Sequence, residues 1–210
     1  MKSKRTPEEQ RNIIIRGTRH LVATGGMGNF SFPKLMAATG INAPTVYELY
    51  KDKTDLLTSC YLSIDAEIGK LTGDILTHRP PHRNEPVAIE KYCWILWIAY
   101  WNYLVADADR TQFYWAFYHS EYYTESVFSA REKNFKVFLQ FVEELDEKFQ
   151  VSLRHNRHVL VNNMIEGTVS SAIKVLRGEY EDNHITVRTI YRMVFQPVFL
   201  ALGIDPTTLD

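Results

Sequence analysis

The chain has 210 residues, with 24 Lys and Arg against 25 Asp and Glu, and a net charge of −1. This length is enough to bury a sizeable core in one large domain or two small ones, and the near-neutral charge gives no indication of a polyanionic partner. The longest apolar run, near 92–106, is shorter than the roughly 20 residues of a membrane span, and no signal-peptide pattern opens the chain. We therefore expect a soluble, cytoplasmic protein without a membrane partner.

The charges are unevenly distributed along the chain. Residues 1–53 hold nine basic and four acidic side chains, a net charge of +5, whereas the remainder holds 15 basic and 21 acidic ones, a net charge of −6. A cationic head on an acidic body approaches DNA favourably because it releases phosphate counterions. The two cysteines, Cys60 and Cys93, lie in predicted helices, which favours buried free thiols over a disulfide.

The first predicted helix starts with a complete set of capping residues. Thr6 offers a capping hydroxyl, Pro7 suits the first helical position, and Glu9 completes a capping box. The helix should run to about Thr24. Its inward stripe is predicted to consist of Ile14, Thr18, Leu21 and Val22, with outward arginines at Arg11, Arg16 and Arg19.

A second helix, capped by Ser31 and ended by Gly40, leads into a short third helix capped by Asn42. Pro44 falls in the first turn of this third helix, where its missing N–H costs nothing. The inward face is predicted to be Val46, Leu49 and Tyr50, which leaves Thr45, Tyr47 and Glu48 facing elsewhere. Two helices joined by a turn of about three residues that contains Gly are typical of the helix-turn-helix motif, whose second helix enters the DNA major groove.

The rest of the chain is predicted to be helical as well. A long helix begins at Asp52 and continues to about His78, before prolines interrupt the pattern over 79–86. Further helices are predicted over 87–106, 110–120, 122–149, 155–178 and 185–203. With about nine helices and no strand alternation, the fold is predicted to be all-α, with a helix-turn-helix domain at 1–53 and a larger helical domain at 54–210.

The segment from Thr45 to Leu56, TVYELYKDKTDL, resembles the Thr-aliphatic-Tyr-x-(His/Tyr)-Phe-x-x-Lys-x-x-Leu pattern of the tetracycline-repressor (TetR) family of bacterial transcription regulators. The resemblance covers roughly 50 N-terminal residues, and beyond residue 60 it is one of architecture alone. It implies that Tyr47 and Lys53 contact DNA phosphates, that Asn42 and Thr45 touch phosphates or base edges, and that Ser31 caps its helix beside the DNA backbone.

Other positions bear on base recognition. Glu48 faces the groove in this interpretation, where it either accepts a hydrogen bond from a cytosine amino group or is only solvated. Glu48 and Ala43 are therefore expected to face the DNA bases, where they either read the sequence or accept any base. Leu49 departs from the family's His or Tyr, so one backbone contact is expected to be absent, and Met36 and Tyr50 replace a usual Ala and Phe. The alternative is that the side chains assigned to DNA contact only face solvent on a helix that binds nothing.

Aromatic residues concentrate between 92 and 123, where all four tryptophans lie. Buried indole and phenol groups need polar partners, which indicates a partly polar cavity, and the TetR resemblance implies an effector pocket. The predicted lining residues are Trp97, Trp101, Trp115 and Tyr118; the alternative is that the aromatics fill a core. A lipophilic cation would suit Glu90 or Glu121 together with the rings, and a planar aromatic or fatty ligand is an equal candidate.

Small residues near Gly167 and Ala172 allow close helix approach, and the resemblance implies a homodimer through about 155–178 and 185–203; burial within one subunit is the alternative. We predict no enzyme activity, cofactor or metal site, since His155 and His158 lack a third ligand and no catalytic motif appears.

The sequence thus predicts a ligand-responsive regulator, a repressor released from a palindromic operator by a small hydrophobic or aromatic effector. The alternatives are a constitutive or partner-controlled DNA-binding regulator, and a small-molecule-binding helical protein with a vestigial DNA-binding head.

Overall fold

A computed structural model describes residues 5–78, 86–149 and 153–203, without the side chains of 86–88, 146, 148, 149 and 153–158. Within these ranges the chain forms ten α-helices, a short 3-10 helix at Met27–Asn29, and no strand, which confirms the all-α prediction. The helices are α1 Pro7–Gly25, α2 Phe32–Thr39, α3 Ala43–Leu49, α4 Lys53–Thr77, α5 Pro86–Val105, α6 Ala108–Tyr118, α7 Glu125–Asn134, α8 Lys136–Phe149, α9 Leu153–Leu176 and α10 His184–Ala201. The predicted proline interruption at 79–86 lies almost wholly outside the described residues.

The start of α1 confirms the predicted capping box. The Thr6 hydroxyl accepts a hydrogen bond from the Glu9 backbone N–H at 3.2 Å, and the Glu9 carboxylate accepts one from the Thr6 N–H at 2.7 Å. The outward placement of Arg19 is wrong: this side chain is only 9% exposed and donates to the Ser63 hydroxyl of α4 at 3.0 Å. Its aliphatic stem packs in the interior while its guanidinium reaches a polar partner, an arrangement that the alternation of apolar residues does not encode.

The chain divides into two compact units that are discontinuous in sequence. The first, called the head unit here, consists of Met1–Ala66 and Asp107–Glu132, and in it α1 packs against α2 and α6. The second, the body unit, consists of Glu67–Ala106 and Lys133–Asp210, and in it α9 packs against α5, α8 and α10. A functional boundary after residue 53 stays a prediction.

The predicted single helix over 122–149 is wrong, because two helices, α7 and α8, meet at a turn at Phe135. The body unit gives the physical reason. Gly69 of α4 lies so close to this turn that a Cβ built on it would overlap the Asn134 carbonyl oxygen and lie 2.9 Å from the carbonyl carbon. The carbonyl that ends α7 therefore sits against bare α4 backbone, which only glycine permits. Such a break leaves no mark in the local sequence.

The interior of the body unit is mainly aromatic and aliphatic, and two of its buried aromatic side chains donate hydrogen bonds. The Trp97 indole donates to the Thr168 hydroxyl at 3.0 Å, and the Tyr191 hydroxyl donates to the Glu90 backbone carbonyl at 3.2 Å. In the two units Cys93 and Cys60 are buried and free, as predicted, and burial raises the pKa of each thiol to about 12. None of the described helices combines the length and apolar character that a membrane span requires.

Candidate nucleic-acid interface

The turn between α2 and α3 is built as predicted. Gly40 ends α2 in the left-handed conformation, with φ at 68°, and the Asn42 side chain accepts a hydrogen bond from the Thr45 N–H at 3.0 Å to cap α3. Ser31 caps α2 by accepting from the Lys34 N–H at 3.5 Å. These local hydrogen bonds fix the chain direction on both sides of the turn and so fix which face of α3 is presented.

The two faces of α3 differ sharply in burial. Val46 and Tyr50 are buried and Leu49 is half-buried, whereas Tyr47 is 59% exposed and Glu48 is exposed. The Tyr47 ring meets the Phe32 ring of α2 edge to face, with centroids 5.3 Å apart. This contact orients the phenol on an otherwise open surface, since edge-to-face pairs are a preferred aromatic geometry. Ala43 and Thr45, in the first turn of α3, are half-buried.

Lys53 begins α4, at the edge of this surface. Asp52 caps the helix by accepting from the Asp55 N–H at 2.9 Å, and the Asp55 carboxylate accepts from the Lys51 N–H at 2.9 Å. The Lys53 ammonium donates to the Met27 backbone carbonyl at 3.1 Å. It also lies 5.6 Å from the centre of the Tyr122 ring and 5.9 Å from that of Phe30. The sequence predicted the place of Lys53 but not these contacts, because Tyr122 follows it by some 70 positions.

The four residues predicted to line an effector pocket fall into two pairs. Trp97 and Trp101 are buried in the body unit, where their rings stack 5.3 Å apart. Trp115 and Tyr118 are half-buried in the head unit. The ring centroids of Trp115 and His119 are 4.0 Å apart, and those of Tyr118 and Tyr123 are 4.7 Å apart. Each pair lies in one helix, α5 or α6, and the two pairs belong to different compact units. Their role as pocket residues stays a prediction.

A buried polar cluster in the head unit was missed from the sequence. The Asp65 carboxylate, fully buried, accepts from the Tyr114 hydroxyl at 2.7 Å and lies 3.5 Å from the Arg131 Nε. Arg131 also donates to the hydroxyls of Tyr114 at 3.2 Å and Tyr123 at 3.3 Å. Burial raises the pKa of Asp65 to about 6, although Arg131 and the Tyr114 hydrogen bond both act to lower it. The partners are far apart in sequence, so no local pattern connects them.

Two buried atoms of this cluster, the second oxygen of Asp65 and the hydroxyl of Tyr61, have no hydrogen-bond partner among the described residues. The Tyr61 ring stacks on the rings of Tyr114 at 4.9 Å and Phe117 at 4.5 Å. Elsewhere in the described ranges, no group of three His, Cys, Asp or Glu side chains is arranged to hold a metal ion. His155 and His158 belong to the side chains that the structure does not describe.

A left-handed glycine turn between two short helices, an exposed face on the second helix and a lysine at the next helix start define a helix-turn-helix protein with a larger helical body. Residues 14–60 match the model for bacterial regulatory proteins of the tetR family. No curated protein matches the sequence. The match confirms the predicted resemblance to the tetR family over this segment.

Solved structures share the fold over nearly the whole chain. A TetR family transcription regulator from Marinobacter aquaeolei VT8 aligns with a TM-score of 0.74 at 17% identity, covering 89% of this chain and 94% of that one. The fatty acid degradation regulator FadR from Bacillus halodurans aligns at 0.64 and 16%, covering 91% and 97%. FadR from Bacillus subtilis, solved in complex with stearoyl-CoA, aligns at 0.61 and 10%, covering 87% and 96%. The chain therefore has the fold of TetR family transcription regulators.

Proposed function

We propose that this protein is a ligand-responsive, sequence-specific transcription regulator that represses genes from a palindromic operator. The observation that carries the proposal is the exposed face of α3 beside Lys53, within the segment that matches the tetR family. A phenol, hydroxyls and an ammonium group at the edge of a short helix are the groups that bind phosphate oxygens. Since its partner is chromosomal DNA, we place the protein in the cytoplasm.

We assign the phosphate contacts to Tyr47 and Lys53, with Ser31 at the backbone beside the start of α2. The side chains in the first turns of α3 are left for the bases: Asn42, Ala43, Thr45 and Glu48. Glu48 is exposed, and its carboxylate can accept a hydrogen bond from a cytosine amino group. The half-buried Leu49 offers no polar group to the backbone. Base recognition by this short helix should therefore depend strongly on the spacing of two copies across a dimer.

A homodimer through α9 and α10 would supply that spacing. Exposed large apolar side chains follow one face of α10: Ile185 at 76%, Met193 at 70% and Leu200 at 60%. Apolar residues repeated along one helix face, and left in solvent, favour a helical partner. A two-fold dimer would present its α3 helices to half-sites about 34 Å apart, one turn of DNA. The palindromic operator follows from this symmetry.

We assign effector binding to the aromatic residues predicted from the sequence, the pair Trp97 and Trp101 in the body unit and the pair Trp115 and Tyr118 in the head unit. The effector is assigned to the small hydrophobic or aromatic class. A fold shared with a FadR that was solved with stearoyl-CoA adds acyl-CoA to the compounds worth screening. An effector that binds the DNA-incompetent arrangement more tightly would shift the population away from DNA. Thermal-shift screening identifies such compounds by their stabilisation of the folded protein, and release of bound DNA then tests the repressor role.

DNA binding is tested by selecting duplexes from a random-sequence library and measuring the affinity of the best duplex against salt concentration. We expect a palindromic sequence and a steep salt dependence. Lys53→Ala should lower the salt slope by about 1, and adding Tyr47→Ala should abolish specific binding. Lys70→Ala is the matched control, because Lys70 lies exposed further along α4 and pairs only with Asp74 among its described ion pairs.

If no duplex is enriched over non-specific binding, the DNA-binding function is wrong. If Lys70→Ala weakens binding as much as Lys53→Ala, the loss at Lys53 is not specific to the assigned surface, and the assignment is wrong. Binding of the selected sequence upstream of the protein's own coding region would place its own gene among the targets. Loss of binding there would restrict the function to other genes.

A further inference from the structure

We propose that Tyr122, in the connection between α6 and α7, is a positioning residue that holds the Lys53 ammonium in place for the DNA backbone. The proposal rests on the DNA-binding function above and names a residue that controls it. Tyr122 lies far from α3 in sequence and outside the matched family segment 14–60. It belongs to the same compact unit as Lys53.

The described contacts around the Lys53 ammonium hold it through a carbonyl and two aromatic rings. One N–H is donated to the Met27 carbonyl at 3.1 Å, and the rings of Phe30 and Tyr122 lie within 6 Å of the nitrogen. Aromatic rings attract a cation through their π electrons without forming an ion pair. An acidic partner would neutralise the charge that DNA requires, whereas two rings and a carbonyl preserve it.

Holding this side chain matters because a lysine stem is flexible. Fixing a lysine side chain in one conformation costs up to about 2 kcal/mol of rotamer entropy. A side chain already confined before DNA arrives loses less entropy when it binds a phosphate. Lys53 is half-buried, while its neighbours Lys51 and Thr54 are exposed. The confinement is therefore specific to the side chain at the start of α4.

Tyr122 is itself anchored to the interior of the head unit. Its backbone N–H donates to the Ser120 hydroxyl at 3.3 Å, and that hydroxyl donates to the Phe117 carbonyl at 2.7 Å. Its ring stacks with the Phe117 ring at 6.4 Å, and the fully buried Phe117 stacks on Tyr61. A ring tied to the core by both backbone and side chain is suited to orient a mobile ammonium.

The next residue connects the same segment to the buried cluster. The Tyr123 hydroxyl accepts from Arg131, whose guanidinium lies beside Asp65 of α4. Arg131 of α7 thus links the α6–α7 connection, through Tyr123, to α4, through Asp65. A shift of α7 would move Tyr122 as well, because the two tyrosines are adjacent. This makes Tyr122 the point at which such a shift would reach the phosphate-binding lysine.

The first test measures Lys53 itself in the free protein, with an amine-acylating reagent and mass spectrometry. In the wild type, Lys53 should react more slowly than the exposed Lys51 and Lys70. Tyr122→Leu should raise the rate at Lys53 roughly two- to fivefold, the range expected for one cation–π contact, and Tyr122→Phe should leave it unchanged. Equal rates at Lys53 in all three proteins would overturn the proposal, whether or not the protein binds DNA.

The second test is a double-mutant cycle on the selected duplex. Tyr122→Leu should weaken binding roughly two- to fivefold, Tyr122→Phe should bind as the wild type does, and Tyr122→Leu should have no effect once Lys53→Ala is present. An equal loss in both backgrounds would mean that Tyr122 acts through the general structure of the head unit, and the proposal would be wrong. Failure of the wild type to bind any duplex would contradict the DNA-binding function while leaving the acylation result to decide the contact.

Discussion

At the scale of single residues, Asp65 gives the head unit a dependence on pH. Its carboxyl is fully buried, and burial raises its pKa from 3.8 to about 6 against the opposing effect of Arg131. The folded protein therefore holds this proton up to a higher pH than the unfolded chain does. Between about pH 4 and 6 the folded state binds the extra proton, so the free energy of unfolding should fall as pH rises through that window.

We expect this fall to be about 3 kcal/mol and to level off above about pH 7. Urea unfolding of the wild type and of Asp65→Asn at several pH values from 4 to 7 isolates it, because the amide does not titrate. Asp182→Asn, at an exposed position, is the matched control and should keep the wild-type profile. Parallel profiles for wild type and Asp65→Asn would show that the proton on Asp65 does not contribute.

Residues that act locally were predictable and those that act at a distance were not. Thr6, Ser31 and Asn42 each bond to a backbone N–H three positions on, so their capping roles follow from spacing alone. Arg131 contacts Asp65 across 66 positions, and nothing in either neighbourhood indicates the other. The same holds for Lys53, whose place came from the family motif and whose ring contacts depend on tertiary packing.

At the scale of helices, replacing either of two glycines one turn apart in α4 by alanine should change stability in opposite directions. A Cβ on Gly69 would overlap the Asn134 carbonyl, whereas a Cβ on Gly73 would meet Val137 at an ordinary 3.9 Å. Gly69→Ala should destabilise the body unit by about 1–3 kcal/mol, the cost of forcing extra volume into a packed site. Gly73→Ala should stabilise it by about 0.5–1 kcal/mol, since alanine favours a helix over glycine.

Thermal or urea unfolding of the two variants beside the wild type measures both effects. Each variant is the control for the other, because the chemical change and the helix are the same. If both alanines stabilise, the α7–α8 turn does not approach α4 as closely as the structure has it. This close approach also explains why the nine predicted helices became ten: the turn at Phe135 depends on a neighbour and not on its own sequence.

At the scale of the whole molecule, the division into units could not be predicted from composition. The charge contrast and the motif both indicate a functional boundary near residue 53, which stays a prediction. The compact head unit, which is defined by packing, continues to residue 66 and includes 107–132. Contacts among α1, α4 and α6 hold the head unit together, and they join segments that no local sequence pattern relates. The fold class followed from helical periodicity, which each helix encodes by itself, whereas the pairing of helices required the structure.

The proposed dimer is the property of the whole molecule on which recognition of a palindrome would depend. Met193→Lys places a charge in the exposed apolar stripe of α10, which a monomer would tolerate and a helical interface would not. We expect the variant to be monomeric by light scattering and to bind the selected palindrome on the order of a hundredfold or more weakly, because two linked half-sites are then engaged one at a time. Ile95→Lys makes the same exchange at an exposed position of α5 and should leave both properties unchanged. A Met193→Lys protein that is still dimeric and still binds would move the interface away from this stripe, and the half-site spacing would then have to come from another surface.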